Sequence, residues 1–235
     1  MNITNAKNYE EMSLLGAKIL LDTIRNKPNA SICIATGGSP ERMYEIFVDT
    51  INKENIDISN VTFVKLDEWY DAEEYDPFTC NAFIKEKILD KLNSCPKQVI
   101  AFQTKGEDYL EDLRRVQEYL DENPLDVMIL GLGMNGHLGF NEPADALSLD
   151  AHMVMLDAIT QTHEMTQGKV LTRGVTVGLK GIFEAKRVLM LVTGGRKDES
   201  YKKFMSRKIS TQTPASLLWL HPNCTTIIDR EKFPE

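Results

Sequence analysis

The stretch SICIATGGSPERMYEIFVDTIN (residues 31–52) decides the reading of the fold. Ser31 to Ala35 form an apolar run of β type, Thr36 to Ser39 supply a glycine turn, and Glu41 to Asn52 carry the spacing of an amphipathic helix. Working outward, β-type runs recur at Val61 to Leu66, Val99 to Phe102, Asp126 to Leu130, His152 to Leu156, Gly174 to Gly178, Val188 to Val192 and Thr225 to Ile228. Helical spacing occupies Tyr9 to Arg25, Phe78 to Leu92, Glu107 to Glu122 and Lys197 to Ser206. Strand and helix alternate, which predicts an α/β chain with a mainly parallel sheet and helices on both faces. The stretch Asp157 to Thr172 is the least regular and reads as either a mobile lid or a plain surface excursion.

A chain of 235 residues suits one domain spanning residues 1–235. Hydrophobic residues at 42% and charged residues at 26% are ordinary for a globular protein and disfavour disorder. Apolar runs such as Leu125 to Leu132 are far shorter than the ~18 residues a spanning helix needs, so no membrane partner is expected. A formal net charge of −8 disfavours nucleic acid and anionic membranes, which call for a basic footprint. The opening residues MNITNAKNYEEM lack a basic segment leading into an apolar core, so a cytoplasmic location is expected. Cys33, Cys80, Cys95 and Cys224 have no CxxC spacing and read as buried or incidental thiols.

Four segments carry candidate chemistry. In ATGGSP (35–40), paired glycines allow a backbone to approach an anion at a helix N-terminus, with Ser39 as N-cap and Pro40 in the first turn. The segment reads as a phosphate site or as a tight turn that needs only glycine's freedom. VKLDEWY (64–70) puts two acids at the carboxyl end of a strand, where open α/β sheets bind ligands. Adjacent side chains on an extended chain point oppositely, so only one of Asp67 and Glu68 should reach a substrate, unless both lie on a surface loop. In TGGRK (193–197), cations in the first turn of a helix oppose the macrodipole, which points to a compensating anion or to two solvated bases.

GLGMNGHLGFNEP (131–143) follows a further apolar strand and contains GxGxxG at Gly131, Gly133 and Gly136. A dinucleotide fingerprint needs a full helix after its last glycine, whereas Gly139, Asn141 and Pro143 interrupt this one. No nicotinamide cofactor is therefore expected. The segment instead offers an imidazole and a carboxylate, His137 and Glu142, a pairing suited to moving protons near neutral pH. No HxH, HExxH or paired Asp/His spacing suggests a metal.

Together, ATGGSP, VKLDEWY, GLGMNGHLGFNEP and LVTGGRK, in this order, resemble the glucosamine-6-phosphate deaminase/isomerase family, a modified Rossmann-like fold. LDEW (66–69), TQTHEM (160–165) and PASLLWLH (214–221) look more like its galactosamine-6-phosphate isomerase (deaminase) branch. The resemblance implies that His137, supported by Glu142, opens the sugar ring. It implies that Asp67 shuttles a proton from C2 to C1 through an enediol-type intermediate. Thr36, Gly37, Gly38, Ser39 and Lys197 would hold the phosphate. Asn135 stands where some members have aspartate in the relay, and the family's second phosphate-binding cation has no clear match, with His163 and Arg173 as candidates.

The expected reaction takes galactosamine 6-phosphate to tagatose 6-phosphate and ammonia, without cofactor or metal. The alternatives are glucosamine 6-phosphate to fructose 6-phosphate, and a hydrolase of 6-phosphogluconolactonase type. A sugar-phosphate effector domain of a transcription regulator is remote, since no basic helix-turn-helix precedes Ser31. The chain ends soon after Ile228, so hexamer formation and allostery are not carried over, and a homo-oligomer stays open as a partner.

Overall fold

The computed structural model describes residues 1–106 and 108–234. In chain order the elements are β1 (Asn2–Ala6), α1 (Tyr9–Asn26), β2 (Ser31–Ile34), α2 (Gly38–Glu54), β3 (Thr62–Lys65), β4 (Asp67–Trp69), α3 (Cys80–Lys87), β5 (Gln98–Ile100), α4 (Tyr109–Glu122) and β6 (Val127–Gly131). There follow β7 (His152–Met155), α5 (Ala158–Gln161), β8 (Arg173–Thr176), α6 (Leu179–Glu184), β9 (Val188–Val192), α7 (Asp198–Met205) and β10 (Cys224–Asp229). Short 3₁₀ turns lie at Leu89–Lys91, Glu164–Thr166 and Pro214–Leu220. Glu107, the expected start of the fourth helix, lies outside the described residues.

Seven strands form one parallel sheet in the order β1-β10-β9-β6-β2-β3-β5. Every residue of β2, β9 and β10 is buried, as expected of parallel strands covered on both faces. Helix α1 packs on α2, and α4 on α6. From β2 the order runs through β3 to β5 on one side and through β6, β9 and β10 on the other. The β2–β6 junction is thus the switch point of the sheet, where ligand crevices of open α/β folds form.

Several expectations are corrected. The run Val61 to Leu66 forms strand β3 as expected, but no surface loop follows it. The chain leaves the large sheet at Leu66, whose N–H bonds Ile34 O at 3.1 Å while its carbonyl accepts from Val177 at 2.9 Å. It continues as β4 in a second, antiparallel sheet of order β4-β8-β7. Asp67 and Glu68 are therefore buried strand residues, not surface loop residues. Ser39 is not the cap of α2. Gly37, at φ 93°, takes the cap position with no side-chain bond, and the helix starts at Gly38. The helix expected over Phe78 to Leu92 is shorter, because Ile88 breaks from helical geometry between α3 and the turn at Leu89. NITNA has no apolar run and predicts no strand, yet it forms β1 and closes the sheet edge against β10.

One close approach ties the long loop before β7 to the start of α6. Ser148 and Leu149 carbonyls accept from Leu179 and Lys180 at 3.1 and 2.8 Å, so backbone lies against Gly178. A Cβ added there would sit 2.2 Å from Asp150 O and 2.3 Å from Leu149 O. Gly178→Ala should lower unfolding free energy by at least about 1–3 kcal/mol, the usual cost of overpacking, read in a urea melt. An unchanged midpoint would show that this contact yields freely.

Candidate active site

At the switch point a cavity of about 120 Å³ is lined by the turns after β2 and β6, by β4, and by residues of the 157–172 segment. Thr36, Gly37, Gly38 and Ser39 form one wall. A Cβ on Gly37 or Gly38 would meet nothing within 4 Å, so their backbone faces open space. From the turn after β9, Lys197 reaches across and its ammonium donates to Ser39 Oγ at 3.3 Å. Burial lowers the Lys197 ammonium to about 8. Ser39, which does not cap α2, thus accepts from the Lys197 ammonium instead. Arg196, next to it, turns away to an exposed ion pair with Glu164 at 2.5 Å.

Asp67 lines the cavity, and Glu68 points to the other side of β4, as alternation requires. Burial raises the Asp67 carboxyl to about 6, against a contact from the Cys80 thiol and the charge of His137, which both pull it down. Cys80 Sγ lies 3.6 Å from Asp67 Oδ1 and 3.2 Å from Thr36 Oγ1.

His137 Nδ1 is 3.3 Å from Glu142 Oε2 and 3.3 Å from Thr160 Oγ1. Asn135 braces this pair twice, donating from Nδ2 to Glu142 Oε2 at 2.7 Å and accepting the His137 backbone N–H at 3.1 Å. Burial pushes the Glu142 carboxyl up, but His137, Thr160 and Asn135 outweigh it and leave the group below its ordinary value. Glu142 is buried behind the imidazole, and neither it nor Asn135 lines the cavity. The Nδ1 engagement leaves Nε2 as the ring nitrogen available to a ligand.

The structure thus brings together Thr36, Gly37, Gly38, Ser39, Asp67, His137 and Lys197 around one cavity, with Asn135 and Glu142 directly behind. Of the two candidates for a further cation, His163 lines the cavity, while Arg173 is held at the surface by both carboxylate oxygens of Asp71. Met165 N–H donates to His163 Nδ1 at 3.2 Å, so a neutral His163 carries its proton on Nε2. Burial, then the charges of His137 and Lys197, lower the His163 imidazole. His152 and His221 bond main-chain carbonyls elsewhere. Cys33, Cys80 and Cys224 are buried free thiols and Cys95 is an exposed one. Among the described residues no cluster of three or more His, Cys, Asp or Glu could hold a metal ion, and no helix is long and apolar enough to cross a membrane.

Sequence reasoning did not single out Trp69, Cys80, Phe140, Thr160 or Met165, which all line the cavity. Only the alternation of β4 could have flagged Trp69, two residues beyond Asp67 on the same face.

A parallel sheet with an anion-type glycine turn, a buried carboxylate and a braced imidazole at its switch point defines an α/β enzyme of the sugar-phosphate isomerase/deaminase type. More particularly, the chain belongs to the family described as glucosamine-6-phosphate isomerases/6-phosphogluconolactonase, whose model matches residues 5–228. It is 42% identical to the Escherichia coli (strain K12) protein named "Putative deaminase AgaI", over 97% of this chain and 91% of that protein. It is 33% identical to glucosamine-6-phosphate deaminase 1 of Bacillus subtilis (strain 168), over 98% of each chain. The solved structure of a monomeric glucosamine-6-phosphate deaminase superposes with a TM-score of 0.91 at 32% identity, over 98% of both chains. The 6-phosphogluconolactonase of Thermotoga maritima shares the fold alone, with a TM-score of 0.74 at 16% identity. The hydrolase expectation finds no support beyond such distant likenesses.

Gly133 packs under the imidazole, and a Cβ there would lie 2.1 Å from His137 Cδ2. Gly133→Ala should displace the ring and lower turnover by roughly 10²-fold or more, the usual worth of a positioned acid/base group, with little change in melting temperature. Wild-type turnover in that variant would separate His137 from the chemistry.

Proposed function

We propose that the protein isomerises and deaminates galactosamine 6-phosphate, releasing tagatose 6-phosphate and ammonia. The observation that carries this reading is the single cavity shared by Asp67, His137 and the Lys197–Ser39 pair. A proton-transferring carboxylate, a ring-opening imidazole and an anion site are the parts that this reaction needs. The phosphate, with about −1.5 to −2 charges near neutral pH, docks on the Gly37–Gly38 backbone, Ser39 and Lys197.

His137, braced by Glu142 and Asn135, delivers a proton to the ring oxygen as the hydroxyl proton at C1 leaves, opening the pyranose to the aldehyde. Asp67 removes the C2 proton, and the electron pair forms the C1–C2 double bond. The carbonyl pair moves onto O1, which takes back from solvent the proton released there at ring opening, giving an enolamine. Return of the C2 proton to C1 leaves an iminium at C2. Water adds there and ammonia departs, so aldosamine phosphate plus water becomes ketose phosphate plus ammonia. His163, which lines the same cavity, donates its Nε2–H to a phosphate or hydroxyl oxygen in this reading.

The galacto assignment rests on where the three branch-like segments fall. Trp69 of LDEW lines the cavity, as do Thr160, His163 and Met165 of TQTHEM. Within PASLLWLH, Ala215 N–H donates to Gly136 O at 2.8 Å and buttresses the histidine loop from behind. Glucosamine 6-phosphate is the second reading, supported by the relatives and the solved structure named for it. Ammonia release measured side by side on the two substrates should give at least a tenfold higher kcat/KM for the galacto substrate. Equal or reversed values would transfer the assignment to the glucosamine reaction.

The charge states set the pH dependence. Asp67 is a base only above its raised value of about 6. Lys197 is a cation only below its lowered value of about 8. The plot of kcat/KM should therefore rise through about pH 6 and fall through about pH 8. Asp67→Asn should reduce kcat by roughly 10²–10⁴, and Lys197→Ala should chiefly raise KM and remove the alkaline limb. An alkaline limb that survives in Lys197→Ala would place the phosphate elsewhere.

A further inference from the structure

Glu68 is wholly buried yet takes no part in the cavity. Its Oε1 accepts the Cys80 N–H at 2.9 Å and its Oε2 the Asn81 N–H at 2.7 Å, the first two residues of α3. Oε1 also accepts its own neighbour, the Trp69 N–H, at 2.8 Å. Lys65, also buried, donates to the Asn81 side chain from the other flank. The start of α3 is thus clamped to β4 by a carboxylate 12 residues earlier, beyond the ordinary Thr79 cap on Ala82 N–H. The clamped residue, Cys80, is the one whose thiol meets Asp67, immediately before Glu68 in the chain. Asp67, Glu68 and Cys80 therefore close a ring of one covalent link, one backbone bond and one thiol–carboxylate contact.

We propose that Glu68 is a positioning residue: by holding the first turn of α3 it presents the Cys80 thiol to Asp67, and so sets the basicity of a carboxylate it does not itself touch. Thr36 Oγ1, on the other side of Sγ, fixes the direction of the thiol. With the Thr36 hydroxyl donating to sulfur, the S–H proton is left for Asp67 Oδ1, where it favours the charged carboxylate. The other titratable groups around Asp67 are His137 from the loop after β6, Cys33 on β2 and Tyr44 on α2. Of these, Cys33 and Tyr44 are buried neutral groups, and His137 already faces Asp67 from across the cavity. The thiol is the contact that the Glu68 clamp controls.

The functional consequence rests on the reading of Asp67 as the base, so the test measures the carboxylate and the rate separately. Carbon-13 NMR of aspartate-labelled protein would titrate the Asp67 carboxyl in wild type, Cys80→Ala, Cys80→Ser and Glu68→Gln, alongside the acid limb of kcat/KM. Cys80→Ala should move both upward by about half a unit to one pH unit, a roughly three- to tenfold loss of rate on that limb. Cys80→Ser, which keeps a donor, should stay near wild type. Glu68→Gln should shift in the same direction as Cys80→Ala, because its amide nitrogen cannot accept the second α3 N–H. If that variant does not fold, Glu68→Asp keeps the charge, withdraws it by one methylene and should give a smaller upward shift. A carboxyl titration unmoved in Cys80→Ala, or unmoved in the folded Glu68 variant, overturns the proposal. A shifted carboxyl with an unshifted rate limb upholds the positioning role and instead removes Asp67 from the proton transfer.

Discussion

Parallel pairing of β2 with β3 on one side and β6 on the other is the constraint on which the pocket rests. Parallel strands cannot be joined by a tight hairpin, so each must leave the sheet through a turn at its carboxyl end. Three such exits meet at one place: the glycine turn after β2, the break at Leu66 after β3, and the glycine loop after β6. The first turns the Gly37–Gly38 backbone to open space, the second sends Asp67 into the crevice, and the third folds back to hold His137. Lys197 arrives from a fourth exit, after β9, the strand beside β6.

The second sheet is what turns this meeting point into an enclosed site. Had β3 simply ended, Asp67 would have been a solvated acid. Pairing of β4 with β8 instead fixes its backbone, with Asp67 opposite Thr176. Gly139, at φ 56°, lets the histidine loop come close: a Cβ there would lie 2.7 Å from Thr176 Oγ1 and 3.3 Å from Asp67 Oδ2. Trp69, beyond Asp67 on β4, packs against Phe140 with the rings tilted by 57° and their centroids 4.7 Å apart, so the same loop is held again from the β4 side.

Much of this was legible in the sequence, for identifiable reasons. Strands buried on both faces, such as SICI and VLMLV, announce themselves by unbroken apolar runs. His137, Asn135 and Glu142 lie within one glycine-rich segment, so their meeting is local. Strand alternation requires that only one of Asp67 and Glu68 face the crevice, and the family resemblance picks Asp67. What was hidden is what depends on distant pairing. Nothing in Val61 to Leu66 marks the change of sheet, because an extended chain looks the same in either. Strand β1 is polar because it sits at an edge, where one face needs little cover. Ser39 does not cap α2 because the positive φ of Gly37 starts the helix earlier. Thr160 and Cys80 join the site only through tertiary contacts with His137 and Asp67, for which no spacing rule exists.

The half-buried ammonium of Lys197 has a consequence for thermodynamics of complex formation. An amine held near 8 in the free protein is partly neutral in mildly alkaline solution. If phosphate docks on Lys197 as proposed, the dianion favours the charged form and docking lifts its affinity for protons. Ligand and proton would then enter together, each molecule captured taking a fraction of a proton from the surrounding buffer. The heat of association would then carry a contribution from whichever buffer supplies that proton, and the surrounding buffer would become a participant in ligand capture.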